Sequence, residues 1–156
     1  MRFLTLILTV LAGQVQALSC VPPDVRWSFN HADESEDRYF VLRGRFEFPD
    51  YTFPESTNPN QDRSLRVQTQ FTGHVFTRRG FTNPKTQDVT LEISCLGPWC
   101  GGAVPNQEYV AFAKETDAGL QVEVSACSWA LLNPSPGQEA QLIDCVNGRS
   151  CKPDFP

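Results

Sequence analysis

The chain is poor in the side chains on which most catalysis depends. It holds two histidines, His31 and His74, in 156 residues. Neither Gly-x-Ser-x-Gly nor His-Glu-x-x-His occurs. His74 falls on the polar side of an alternating stretch and reads as a solvated residue. No Cys-x-x-Cys pair exists, so zinc-knuckle ligands and a thioredoxin-type redox centre both lack their motif. Lysine is scarce as well, with only Lys85, Lys114 and Lys152. Nucleic acid and anionic membranes are gripped by clustered Lys and Arg, and the lone Arg78-Arg79 pair is too small a patch for either. There is no Asn-x-Ser/Thr sequon, no internal repeat and no low-complexity tract. These absences argue against an enzyme, a cofactor, a metal centre and a nucleic-acid partner.

No apolar run reaches the roughly 20 residues of a membrane helix. A shorter run, Phe3–Leu11, follows Arg2 and leads to Val15-Gln16-Ala17, which has the small-x-small form of a signal peptidase site. Residues 1–17 therefore read as a signal peptide, and residues 18–156 as one exported domain beginning at Leu18, secreted or periplasmic. A rival reading treats Ala17-Leu18-Ser19-Cys20 as a lipoprotein box, with Cys20 lipidated. The expected leucine is shifted by one place, and lipidation would leave an odd number of thiols. Membrane attachment is expected only in that case.

Removing the first 17 of 156 residues leaves 139, enough for a single hydrophobic core. The mature part carries 12 basic and 18 acidic residues, a net charge of −6. Its six cysteines are an even set in an exported chain and read as three disulfides. Cys95 and Cys100 enclose Gly97-Pro98, and Cys145 and Cys151 enclose Asn147-Gly148, so each pair can close locally over turn formers. Cys20 and Cys127 are then left for each other.

Period-two alternation dominates the rest. In Phe40–Phe48 the residues Phe40, Leu42, Phe46 and Phe48 share one face with Gly44, which suggests a bulge or bend. Pro49–Arg63 reads as a long loop. Leu65–Thr77 is a second strand, again interrupted by a glycine, Gly73. Arg78–Gln87 reads as a connection, Val89–Cys95 as a third strand, Glu108–Glu115 as a fourth and Gly119–Ser128 as a fifth. Short helices are expected at Asp24–Ala32, capped by Asp24, and at Gly137–Cys145. Five bent strands in a chain this short favour a closed five-stranded barrel of OB-fold type with short flanking helices. A sandwich needs seven or more strands, and a lipocalin-like barrel needs eight.

Several of these features together resemble the netrin-like module, best known from tissue inhibitors of metalloproteinases. Ser19-Cys20 at the mature start is followed by Val21-Pro22-Pro23. Phe40–Phe48 with Gly44 looks like the family's first strand. Cys100-Gly101 looks like its Cys-Gly, with Glu108-Tyr109-Val110-Ala111 like the strand after it. Cys127, followed by Trp129, looks like the family's last-strand cysteine. The resemblance implies an OB-fold whose N-terminal segment is tied to the end of the last core strand, which again pairs Cys20 with Cys127. In those inhibitors the first mature residue is a cysteine whose amine and carbonyl clamp the protease zinc. Here Leu18 stands in that place, and Cys100 pairs with Cys95 instead, so the terminal clamp loses its tether and its preorganisation.

The function expected is that of a protein-binding module. Its candidate edge is Leu18, Ser19, Cys20, Val21 and Pro22 together with Trp99 in the Cys95–Cys100 turn, all held by disulfides. The partner is an unidentified protein. Metalloprotease inhibition through the terminal amine is the alternative, and a redox or lipid-anchored accessory role is a third. Trp27 and Trp129 are expected in the core. The acidic run His31–Asp37 lacks the glycine and spacing of an EF-hand and reads as a solvated loop. Arg43, Arg45, Arg66, Arg78 and Arg79 are expected to alternate with acids and not to gather.

Overall fold

The computed structural model describes residues 19–54, 58 and 60–154. The expected signal peptide and Leu18 lie outside the described residues. Helix α1 (Val25–Asp33) is followed by β1 (Tyr39–Glu47), β2 (Arg63–Thr77), β3 (Gly80–Leu96), β4 (Trp99–Cys100), β5 (Glu108–Thr116), β6 (Gly119–Val124), β7 (Leu131–Leu132) and α2 (Gln138–Val146). The fold is mainly β. Among the described residues no helix is long and apolar enough to cross a membrane.

The five longer strands close into a ring in the order β1-β2-β3-β6-β5. β5 returns to β1 antiparallel, with Leu42 opposite Ala111. All neighbours in the ring are antiparallel except β3 and β6, which run parallel with Val89 beside Leu120. The two-residue strands β4 and β7 add to β3 and β5 and lie off the ring. The alternation read from the sequence fills the interior: Leu42, Phe46, Val67, Phe71, Leu91, Ile93, Val122 and Val124 are all buried. Tyr109–Ala113 of β5 is buried along its whole length, because Trp129 and α1 pack over the outer face of that strand while its edge is paired too. Phe112 donates its N–H to the carbonyl of Ala130 at 2.8 Å, and β7 pairs alongside.

Gly44 and Gly73 face each other across β1 and β2. A Cβ on Gly44 would strike the Thr72 carbonyl and the Gly73 Cα, and one on Gly73 would strike the Arg43 carbonyl and the Gly44 Cα. The ring of Phe71 would meet either one. These glycines mark a close approach of two backbones, which lets the sheet coil tightly. The bulge expected at such positions lies elsewhere, at the register shift beside Val75 and Phe76.

The expected connection at Arg78–Gln87 shrinks to the two-residue turn Arg78-Arg79, and from Gly80 onward the chain is strand. β2 and β3 form one long hairpin in which Thr77 pairs with Gly80, and Gly80 takes a positive φ of 103°. Residues 80–88 pair with β2 alone and are largely exposed on both faces. That explains a composition polar enough to imitate a loop. Helix α2 packs beside the hairpin tip, where Glu139 accepts the Phe81 N–H at 2.8 Å. The fifth strand is also shorter than expected, ending at Val124 and not at Ser128.

Gly44→Ala should cost at least about 2–3 kcal/mol of stability, since the added methyl meets backbone that cannot rotate away. Gly102→Ala, whose Cβ would find only the Tyr51 hydroxyl at 3.8 Å, should stay within about 0.5 kcal/mol of wild type. Urea denaturation midpoints at equal m-value measure both.

Candidate functional site

The exit of β6 organises one end of the molecule. Asp24 has an extended backbone and its carboxylate accepts the N–H groups of Arg26 and Trp27 at 2.8 and 3.0 Å. That satisfies two of the orphan donors at the start of α1. Val25 and Ser28 are buried while Phe29 and Ala32 are half-buried against the core, and the Ser28 hydroxyl bonds the Trp129 carbonyl at 2.7 Å. Ahead of the helix, Cys20 is bonded to Cys127, with Cα atoms 5.3 Å apart and a sequence separation of 107. The segment Ser19–Pro23 therefore runs along the β6 exit, restricted further by the fixed φ of Pro22 and Pro23.

These pieces frame a groove of about 730 Å³ lined by Ser19–Pro23, Trp27, the Cys20–Cys127 bond, Ser128 and Trp129. Its walls are chiefly apolar. Trp129 is held by three rings: His31 at 4.3 Å, Tyr39 at 5.5 Å and Phe112 at 6.1 Å between centroids. His31 also stacks on Trp27 at 5.7 Å. The expectation that Trp27 is a core residue fails, because it is 39% exposed. It sits off the face formed by Val25, Ser28, Phe29 and Ala32, so the helix turns it outward. Trp129 is half-buried. Sequence reading thus missed both tryptophans as groove walls, although the offset of Trp27 from the apolar face of α1 was there to be read.

Of the candidate edge residues, Ser19, Cys20, Val21 and Pro22 are all exposed and line this groove. Trp99 does not line it. Trp99 is exposed, with Leu96 and Val104, around the turn closed by Cys95–Cys100. That turn is nonetheless fixed to the same β6 exit: a Cβ on Gly101 would strike the carbonyl group of Val124 and the backbone of Ser125. The loop beyond is held by two phenols. Tyr51 accepts the Ala103 N–H at 3.0 Å and Tyr109 accepts the Val104 N–H at 2.9 Å.

All six cysteines are paired, the third bond joining Cys145 to Cys151, and such pairing belongs to an oxidising compartment. Of the five arginines expected to alternate with acids, two meet carboxylates: Arg43 meets Glu108 at 2.8 Å and Arg66 meets Glu92 at 3.6 Å. Lys114 meets Asp37 at 2.7 Å, and this hydrogen bond raises the lysine pKa above its ordinary value. Burial, seconded by the charge of Glu123, raises the Tyr39 phenol above its ordinary 10.0. Among the described residues no three His, Cys, Asp or Glu side chains gather as a metal site.

No family model matches the chain, and no match is found among curated proteins or solved structures.

Replacing Cys20 and Cys127 together by serine should remove up to about 4.7 kcal/mol by the chain-entropy relation, against roughly 2 kcal/mol for the short Cys95–Cys100 loop. Thermal unfolding of the two double variants tests the ranking. Because Tyr39 and Lys114 both hold their protons more tightly when folded, their stabilisation is intact below about pH 10 and declines as pH rises through their elevated folded values. Denaturation midpoints from pH 8 to 11 should fall at the alkaline end, and less steeply in Tyr39→Phe.

Proposed function

We propose that the protein is an exported, non-catalytic binding module of the netrin-like type, built on an OB-fold barrel and acting by contact with another protein at the β6 exit. The closed ring with one parallel pair supports the OB-fold reading, since a five-stranded Greek-key barrel needs such a crossover. The long-range Cys20–Cys127 bond supports the netrin-like reading, because it ties the N-terminal segment to the chain just beyond the last ring strand.

One observation carries the functional reading: an apolar groove walled by exposed Val21 and Trp27 and fixed by a disulfide. Rigid aromatic anchors in a concave, water-excluding setting are where protein interfaces concentrate their binding energy. Monomers seldom leave such a wall bare without a use for it.

The competing reading, a metalloprotease inhibitor acting through the amine of Leu18, is weakened by the local Cys95–Cys100 bond, which leaves Cys100 unable to tether that end. A lipid on Cys20 would compete for the sulfur that bonds Cys127. A redox role would need a free thiol, and the described cysteines are all bonded.

A photo-crosslinker placed at Val21 should capture a protein that the same crosslinker at Lys85 does not, with capture reduced at least tenfold in Trp27→Ala. Assay against zinc metalloproteinases, with and without one added N-terminal alanine, separates the inhibitor. Inhibition abolished by the alanine would put the terminal clamp first, and lack of inhibition by either form fits the contact module.

A further inference from the structure

Trp129 is a shared wall. On one side lies the apolar groove with Val21, Pro22 and Trp27. On the other lies a recess of about 250 Å³ formed by Trp129 with Glu92, Ser94, Glu123 and Ser125. Trp129 is the one residue common to both linings, and His31, Tyr39 and Phe112 hold it in place.

The charges in the recess are unevenly committed. Glu92 already meets Arg66 at 3.6 Å and accepts from the Gln121 amide at 2.5 Å. Glu123 stands beside it in the parallel β3–β6 register and is exposed. No side chain among the described residues hydrogen-bonds or ion-pairs with its carboxylate. The nearby cation, Lys114, is hydrogen-bonded to Asp37, and its charge reaches Glu123 only through space, without pairing with it. An unpaired carboxylate next to an indole is suited to one kind of guest, a cation that meets the ring face and the charge together.

Resting on the binding-module reading above, we infer that this end of the protein receives an extended segment of a partner protein in which an apolar side chain is followed, about two residues on, by arginine or lysine. The apolar side chain enters the groove between Val21, Pro22 and Trp27. The basic side chain passes over Trp129 into the recess and pairs with Glu123. The spacing follows from the wall the two cavities share: an extended chain advances about 3.3 Å per residue and returns to the same face every second one, a stride on the scale of one indole. Net charge favours the same partner, with 18 acidic against 12 basic residues after position 17, which speeds encounter with a basic segment. Arg66 is already spent on Glu92, so an acidic segment would find no free cation in the recess.

The test is a spectroscopic titration of the ¹⁵N-labelled protein, whose three tryptophans each report through an indole N–H. The probes are acetyl-Ser-Leu-Ser-Arg-Ser-amide and the same peptide with citrulline, which has the shape of arginine without its charge. The arginine peptide should shift the indole signals of Trp27 and Trp129 and leave that of Trp99 in place, and it should bind at least tenfold more tightly than the citrulline peptide. Glu123→Gln should erase that difference while leaving the citrulline peptide's affinity unchanged. Glu92→Gln, removing a carboxylate that Arg66 already neutralises, should reduce it by less. Glu123 is exposed and Glu92 half-buried, and unchanged thermal midpoints will show that both variants fold.

Equal binding of the two peptides at Trp27 and Trp129 would overturn the basic-segment inference and leave the contact reading standing. Binding that moves Trp99 instead, or no shift up to millimolar peptide, would also overturn it, and the Val21 crosslinking experiment would then judge the contact reading separately. Indole shifts that grow with protein concentration in the absence of peptide would assign the groove to a second copy of the chain and overturn the inference as well.

Discussion

Two backbones touching at Gly44 and Gly73 is the constraint on which the rest is built. Most of the ring could be assembled from alternating apolar strands, but β1 must serve two neighbours, β2 and β5, and can do so only if the sheet coils sharply where β1 crosses β2. Side chains at either position would hold the strands apart. With the ring closed, β3 and β6 come side by side in parallel, and the chain leaving β6 is delivered to one end of the molecule. Everything proposed for function sits at that exit.

What the ring delivers, the covalent framework then holds. Cys127 lies three residues past the end of β6, and Cys20 lies five residues before α1. The bond between them turns a terminal segment into a wall. Asp24 fixes where the helix begins, and thereby which residue of α1 faces outward. The order of causes is closure first, delivery of the β6 exit second, and immobilisation of the N-terminal segment third.

The strands are legible because their inner faces are apolar almost throughout, Thr69 excepted. Leu42, Phe46, Val67, Phe71, Leu91 and Ile93 announce both their period and their burial. The disulfide pairing was equally legible, since two pairs close over turn formers and the third follows. Residues 80–87 read as loop for a physical reason: a hairpin arm with solvent on both faces has no apolar period to show. Trp27 was misjudged because composition favours burying tryptophan, whereas helical phase decides which way it points. Glu123 and Trp129 could not have been joined from sequence, because their proximity comes from the chain's turn between residues 125 and 129. Gly44 and Gly73 stand out in the sequence, but a bulge and a crossing of backbones look alike in one dimension.

The exposed arm of β3 has a further consequence. From Gly80 to Asp88 the strand has a neighbour on one side only, and a bare strand edge is a template on which other chains can polymerise. This edge is blunted by three separate means. Pro84 offers no amide hydrogen, Lys85 places a charge beside it, and the Phe81 amide is already occupied by Glu139 from α2. The helix that looks like an appendage to the ring is thus also a guard, keeping a long two-stranded ribbon from recruiting its own kind.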